Sequence, residues 1–441
     1  MAQVIVVGGG IAGAGIARDL ALRGIAVTLV ERHIPAAGAT GRCHGLLHSG
    51  TRYAVRDAKA AAECASESPV IRRIAPHCVE DTGGFALAIT EADAEYGDKL
   101  LPACRSAGVQ VEELPASESP NPDALRCIRT TDAAVDPFLL TLSNLYDARQ
   151  NGAEILCGRS VAQICDGSVR LDNGQSLAAD IIVNATGHEC SRLLRQSGLA
   201  APSVQPDKGT ILVTERRVCA AVISRLRMPS DGDIIVPGHT TSLIGTTSSR
   251  SDDTLPTRDE YRRLMKEAIA LLPSLKEVRI IRAFSGIRPL VGVGEGRNIS
   301  RDFRIEEQGG VLTVAGGKLT TYRLIAEQAA DAVMRLMGEH GSCQTKTTPL
   351  PDIRRDVPDD MGCRCESAGQ RIVEMDFLRG ADLSKYNRLG FGTCQGMRCA
   401  KYATSPESFL QERWKGVRPV LDETQLRQAY VSWAAWRTRG Q

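Results

Sequence analysis

The chain has 441 residues, of which 43% are hydrophobic and 24% charged, enough for a globular protein with a sizeable core and two or three domains. A formal net charge of +2 gives no electrostatic case for a nucleic-acid partner. No apolar run approaches the roughly 18 residues of a membrane span, and the start from Met1 to Ala17 lacks the basic flank of a signal peptide. Fourteen cysteines without such a signal are expected to be reduced thiols, with any closely spaced set more apt for metal than for disulfides.

Val4-Ile5-Val6-Val7 runs into Gly8-Gly9-Gly10-Ile11-Ala12-Gly13, then an apolar-faced helix to Arg23 and a second strand Ala26–Val30 ending in Glu31. Strand, glycines, helix, strand and terminal acid together form a βαβ dinucleotide fingerprint. Gly8 serves the turn, Gly10 the approach of a pyrophosphate, and Gly13 the close packing of helix on strand. Helix-start N–H groups then face the anion, and Glu31 is placed to accept from an adenosine ribose.

Residues 33–56 form a glycine-rich loop with three arginines and three histidines. Within it, Ala39-Thr40-Gly41-Arg42 and Gly45-Leu-Leu-His48-Ser-Gly-Thr-Arg52-Tyr53 resemble the flavin-contacting segment of FAD-dependent glycerol-3-phosphate dehydrogenases. A helix is expected over 57–74, then strand, helix and strand over 83–90, 91–108 and 109–114, and a helix from Asp136-Pro137 to Gly152. Asp166-Gly167 and Asn173-Gly174 mark hairpin turns of a meander, closed by a buried strand into Asn184-Ala-Thr-Gly187. Four β-rich runs over 208–247, a helix from Thr257 to about Leu275 and a long strand Val278–Leu290 suit a mostly antiparallel substrate layer.

Val311–Ala315 then leads into Gly316-Gly317-Lys318-Leu319-Thr320-Thr321 and a helix to Gly338, a second strand, glycine pair and helix start. Two such turns suit a flavin: one for the pyrophosphate, one whose positive end faces the pyrimidine edge of the ring. Arg52, Arg288 and Lys318 each fall beside a glycine-bearing turn and together could hold a phosphate, although any one of them alone reads better as the partner of a surface carboxylate. Alcohol oxidation also needs a proton acceptor, for which His48 is the candidate; His77, His239 and His340 sit in ordinary contexts.

Pro349–Asp360 reads as a linker. Beyond it, Cys363-Arg-Cys365 and Cys394-Gln-Gly-Met-Arg-Cys399 can supply four thiolates, either to an iron–sulfur cluster or to zinc, although Cys-x-Cys is tight for zinc. The stretch Arg388-Leu-Gly-Phe-Gly-Thr-Cys394-Gln-Gly is similar to the [2Fe–2S] module of bacterioferritin-associated ferredoxin. In Glu423–Arg437, Leu426, Tyr430 and Trp433 fall on one helical face with Trp436 beside them, a face that either packs on the cysteine module or docks on a partner.

In order, His44-Gly-Leu-Leu-His-Ser-Gly, Leu243-Ile-Gly-Thr-Thr, Ser-Gly-Ile-Arg288-Pro-Leu, Gly-Gly-Lys318-Leu-Thr-Thr-Tyr, the cysteine set and Phe409–Val417 resemble the bacterial anaerobic branch of the FAD-dependent glycerol-3-phosphate dehydrogenase family over nearly the whole chain. The linker and the span between the cysteine pairs are shorter than that family's pattern. The resemblance implies an α/β fold: a Rossmann-type FAD-binding domain (1–348) interleaved with a mostly antiparallel substrate domain inserted at about 79–130 and 205–300. A linker (349–360), a small helical [2Fe–2S] module (361–405) and a tail helix (406–441) follow. It implies oxidation of sn-glycerol 3-phosphate to dihydroxyacetone phosphate, with Gly8, Gly10, Gly13, Glu31, Thr40, Gly41, Gly316, Gly317, Leu319 and Thr320 on FAD. His48, Arg52, Tyr53, Arg288 and Lys318 would stand on the substrate side, and Cys363, Cys365, Cys394 and Cys399 on the cluster. Electrons would leave through membrane-attached partner subunits to a quinone, placing a cytoplasmic chain peripherally on the inner face of the cell membrane. Two other readings stay open: an amino-acid or hydroxyproline dehydrogenase, whose cations would hold a carboxylate, and a flavin and iron–sulfur electron-transfer protein without substrate chemistry.

Overall fold

Apolar on both faces, Gln3–Val7 is fit for a strand covered on both sides, and in the computed structural model it lies inside a six-stranded sheet. The structure describes residues 3–292, 294, 296–356, 363, 365, 366, 370–396, 399 and 406–439. The order across this sheet is Phe303–Gln308, Val311–Gly316, Ile181–Asn184, Gln3–Val7, Ala26–Glu31 and Glu154–Cys157. All neighbours are parallel except the first pair. One face is covered by the helices Ile11–Leu22, Pro137–Gln150 and Tyr322–Met337, which bury Ala14, Ile16, Leu145, Ala329 and Val333 against Val4, Val6 and Leu29. On the other, the meander of Val161–Cys165, Ser168–Leu171 and Ser176–Ala178 covers Ile5, Val7 and Ile182 with Ile164 and Val169.

A nine-stranded sheet stands beside it. Its long strands Val204–Thr214 and Ile280–Val291 pair antiparallel, with Asp207 opposite Arg288. Thr241–Gly245, Ile234–Gly238 and Val222–Arg225 continue it to Gly84–Ala88, Arg126–Thr130 and Val111–Leu114, so segments 79–130 and 205–300 share one sheet. The join of Val222–Arg225 to Gly84–Ala88 is parallel, and the other pairings are antiparallel.

Several elements differ from the sequence reading. The helix opened by the Thr257–Glu260 capping box stops at Leu271 rather than Leu275, because Pro273 starts a 3-10 turn. Phe303–Gln308 was hidden by Arg304, Glu306 and Glu307, which an edge strand can turn to solvent. Leu46–Leu47 makes a short strand with Ala133–Val135 inside what reads as a glycine-rich loop. The supposed linker is docked: Leu350 and Ile353 are core residues, and Arg354–Asp356 pairs with Gln370–Ile372. Between 361 and 405 the helical content of the described residues is the 3-10 turn Asp376–Leu378, where glycines at 380, 390, 392 and 396 break the chain into turns. Helices Pro406–Val417 and Glu423–Arg439 follow. Tyr430 meets Trp414 edge-on at 6.1 Å, while the side chains of Trp433 and Trp436 lie outside the described residues. Among the described residues no helix is long and apolar enough to cross a membrane.

Candidate active site

Gly13 shows why the first turn is built of glycines: a Cβ there would lie 1.9 Å from the Gly8 carbonyl oxygen, so helix and strand could not approach. Glu31, at the end of its strand, accepts from the Gly9 N–H at 2.6 Å through one oxygen and from the His33 N–H at 2.7 Å through the other. The Ile11 N–H, first in the helix, donates to Thr40 Oγ1 at 3.1 Å, tying the 33–56 loop to the helix start. These residues wall a groove of about 440 Å³ that runs from Gly8, Gly10, Glu31 and Thr40, past Ala185–Glu189, to Gly316, Gly317 and Leu319. Gly316, at φ +85°, takes a left-handed conformation that a side chain would strain.

Three residues expected on the cofactor sit behind the wall instead. Gly13 backs onto Gly8, Gly41 is packed between the Ala36 carbonyl and the Phe138 ring, and buried Thr320 accepts from the His48 backbone N–H at 2.9 Å. His188 and Arg192, on the far wall, were missed because they follow the Asn-Ala-Thr-Gly strand end, where only the strand carried a signal.

A second cavity, about 350 Å³, opens off the groove, and Arg42, Ile287, Arg288, Arg301, Lys318 and Leu319 line both. It brings together His48, Arg52, Tyr53, Arg288 and Lys318, all five residues expected at the substrate. His48 Nε2 is 3.3 Å from the Tyr53 hydroxyl, and the rings meet edge-on at 5.1 Å. Lys318 lies 5.3 Å from the centre of the Tyr53 ring and donates to the Arg301 carbonyl at 3.0 Å.

The arginines are not bare cations. Arg52 donates to both oxygens of buried Asp233, at 3.1 and 2.9 Å. Arg288 Nε stands 2.7 Å from Asp207, off the N–H direction, while its other nitrogens donate to Thr246 Oγ1 at 2.9 Å and to the Thr247 carbonyl at 2.5 Å. Pairing of each arginine with a carboxylate therefore holds, but the partners are buried residues, not surface ones. Arg301 stands apart: among the described residues its buried Nε has no hydrogen-bond partner, and one Nη reaches only the Gly317 carbonyl at 3.4 Å. Ser300-Arg301-Asp302 belongs to no motif in the sequence, so nothing there announced it.

Burial in this cavity, reinforced at the imidazoles by the surrounding positive charge, sets the titration of its groups. Burial, then Arg52 and Arg288, push His44 from 6.5 down to about 3. Burial, with His44 and Arg52, holds His48 well below its ordinary value. Tyr53 is pushed up to about 12 by burial, and burial pulls Arg288 down to about 10 against the opposing pull of Asp207.

The four expected cysteines also meet. Cys363 with Cys399, Cys399 with Cys394, and Cys394 with Cys365 are in thiol–thiol hydrogen-bond contact. The bond from Cys399 draws Cys363 down to about 6. Among the described residues no three His, Cys, Asp or Glu side chains converge as a ready-made metal site; the thiols are chained in pairs. An all-sulfur donor set of this kind fits an iron–sulfur cluster better than a hard cation. The module is fastened to the cofactor body, with Arg388 bridging Glu366 at 2.8 Å and Asp136 at 3.2 Å and the Phe391 ring 6.1 Å from that of Phe138.

Residues 3–332 match the family model described as FAD dependent oxidoreductase. The chain is 38% identical, over 98% of its length and 95% of the relative's, to a subunit of the anaerobic glycerol-3-phosphate dehydrogenase of Escherichia coli (strain K12). To the corresponding subunit from Haloferax volcanii it is 35% identical over 97% of this chain and 88% of that one. The 518 positions aligned with the Escherichia coli protein exceed the 441 residues here, so this chain lacks segments that the relative carries. L-proline dehydrogenase from P. horikoshii has the same fold with a TM-score of 0.66 at 18% identity, covering 79% of this chain and 96% of that one. Glycerol-3-phosphate dehydrogenase from Bacillus halodurans, solved with FAD, scores 0.60 at 22% identity, covering 79% and 68%. By the extent of the match to the family model and to both relatives, the chain belongs to the FAD dependent oxidoreductases and, within them, to the family that these anaerobic glycerol-3-phosphate dehydrogenase subunits form.

Proposed function

We propose that the chain oxidises sn-glycerol 3-phosphate to dihydroxyacetone phosphate and passes the electrons through a [2Fe–2S] cluster on Cys363, Cys365, Cys394 and Cys399. From there they go to membrane-attached partner subunits and a quinone, with the chain peripheral on the inner face of the cell membrane. The observation that carries this reading is the cation-lined cavity opening into the dinucleotide groove through Arg288, Arg301 and Lys318.

Gly8, Gly10, Glu31, Thr40, Gly316, Gly317 and Leu319 would hold FAD, which when bound supplies the acceptor for the hydride leaving C2 of the substrate. The protein's own residues do the rest. Asp233 and Asp207 fix the planes of Arg52 and Arg288, and Arg301, whose buried Nε is unsatisfied, donates to the phosphate. Lys318 adds a charge at the mouth of the groove. The hydroxyl proton passes to an imidazole of the cavity wall, which carries two, His44 and His48.

The test is a substrate panel with a dye acceptor. Turnover of sn-glycerol 3-phosphate, with dihydroxyacetone phosphate as product and none from proline or hydroxyproline, is the expected result. Turnover of the amino acids alone would transfer the cations to a carboxylate substrate.

A further inference from the structure

Two imidazoles four residues apart line the substrate cavity, and the protein treats them differently. The His48 ring is engaged by the Tyr53 hydroxyl and its backbone is held by Thr320. The His44 ring has no such engagement: among the described residues it accepts and donates no hydrogen bond, yet it stands on the cavity wall with charged groups around it. Those groups are Arg52, Arg288 and Arg297, opposed by Asp233, with His48 alongside. A half-buried ring on the cavity wall with no protein partner is free to bond to whatever occupies the cavity. Burial and the three arginines outweigh the opposing Asp233 and keep it neutral, with a lone pair available, near neutral pH.

We infer that His44, rather than His48, is the group that takes the proton from the C2 hydroxyl of the substrate, while His48, tied to Tyr53, orients that hydroxyl. This rests on the proposed oxidation of sn-glycerol 3-phosphate. In the step, the O–H bond breaks and its proton goes to a His44 ring nitrogen. The oxygen's electron pair forms the C2=O bond, and the C2 hydrogen leaves with its two electrons as hydride to the bound flavin. The substrate's phosphate, arriving among the arginines, offsets their charge and so makes the imidazole a better base once the complex has formed.

The experiment is anaerobic stopped-flow reduction of the FAD-loaded full chain by sn-glycerol 3-phosphate, in wild type, His44→Gln and His44→Ala. The expected result is a fall of about 10²- to 10⁴-fold in the limiting reduction rate for both variants. Their flavin content should be normal, and dihydroxyacetone phosphate should still perturb the flavin spectrum at concentrations close to those for wild type. Added imidazole should restore part of the rate to His44→Ala and none to wild type, with the rescue growing as pH rises through imidazole's own pKa. A His44→Gln rate within about threefold of wild type would overturn the assignment, since general-base catalysis is worth far more than that. So would a slow His44→Ala that imidazole fails to rescue with flavin intact, or loss of flavin from both variants, which would make the ring a structural support. Failure of wild type itself to be reduced would be a different result, striking the proposed substrate and not the choice of histidine.

Discussion

The His48 backbone N–H donates to the Thr320 hydroxyl at 2.9 Å, a bond that spans 272 residues of sequence. It clamps the loop after the first dinucleotide turn to the second glycine turn, joining two segments that wall the groove and the cavity opening off it. Thr320 is fully buried at this junction, where its hydroxyl holds two glycine-rich segments together.

Gly13→Ala should abolish FAD binding. The added methyl would lie 1.9 Å from the Gly8 carbonyl oxygen, a backbone atom that cannot swing aside. The measurement is the ratio of flavin to protein absorbance after purification; a normal ratio would mean that helix and strand can part without losing the site.

Arg288→Ala should lower kcat/KM for sn-glycerol 3-phosphate by about 30- to 3,000-fold, the equivalent of roughly 2–5 kcal/mol for truncating one member of a buried charged contact. Gly209→Ala is the subtler companion, because its methyl would press on the Arg288 guanidinium at 2.8 Å. It should raise KM in the same direction but less, and unchanged steady-state constants in both variants would remove Arg288 from the substrate.

How far these parts could be read from sequence follows from how local they are. The first turn is complete within 31 residues, and the glycine pair at 316 and 317 announces itself between a strand and a helix, so the groove was legible. The partners of the arginines were not. Asp207 faces Arg288 only through the register of two long antiparallel strands, and Asp233 meets Arg52 across 181 residues. Glu67 and Arg323, 256 residues apart, form a buried ion pair at 2.7 Å that joins two helices. Arg301 lay in no motif, and His44 opened one without a role of its own; the enclosing cavity gives both their meaning.

Acid should destabilise the protein through these imidazoles before carboxylates titrate. His44 is pushed from 6.5 to about 3 and His48 well below its ordinary value, both first of all by burial. The unfolded chain therefore takes up protons at these rings below about pH 6.5, while the folded chain does not. Stability from this source is fully present above about pH 6.5 and declines as pH falls toward the folded values. Melting temperature should drop between about pH 7 and pH 5, and the slope should be shallower in His44→Gln. An identical slope in the variant would show that His44 is not held neutral.

Cys394→Ser should lose iron and acid-labile sulfide while keeping FAD, because Cys394 contacts both Cys365 and Cys399 and links the two pairs. Metal analysis of wild type and variant decides it. Stoichiometric zinc without sulfide in the anaerobically purified wild type would replace the cluster by a structural metal.

The most direct measurement is the visible spectrum of the isolated FAD-loaded chain before and after anaerobic addition of sn-glycerol 3-phosphate. The cavity that joins the groove through Arg288, Arg301 and Lys318 predicts that the flavin band bleaches at once, without partner subunits, and that dihydroxyacetone phosphate appears in step. A flavin that stays oxidised in the presence of the substrate would contradict the account and leave the chain an electron-transfer protein with no substrate chemistry of its own.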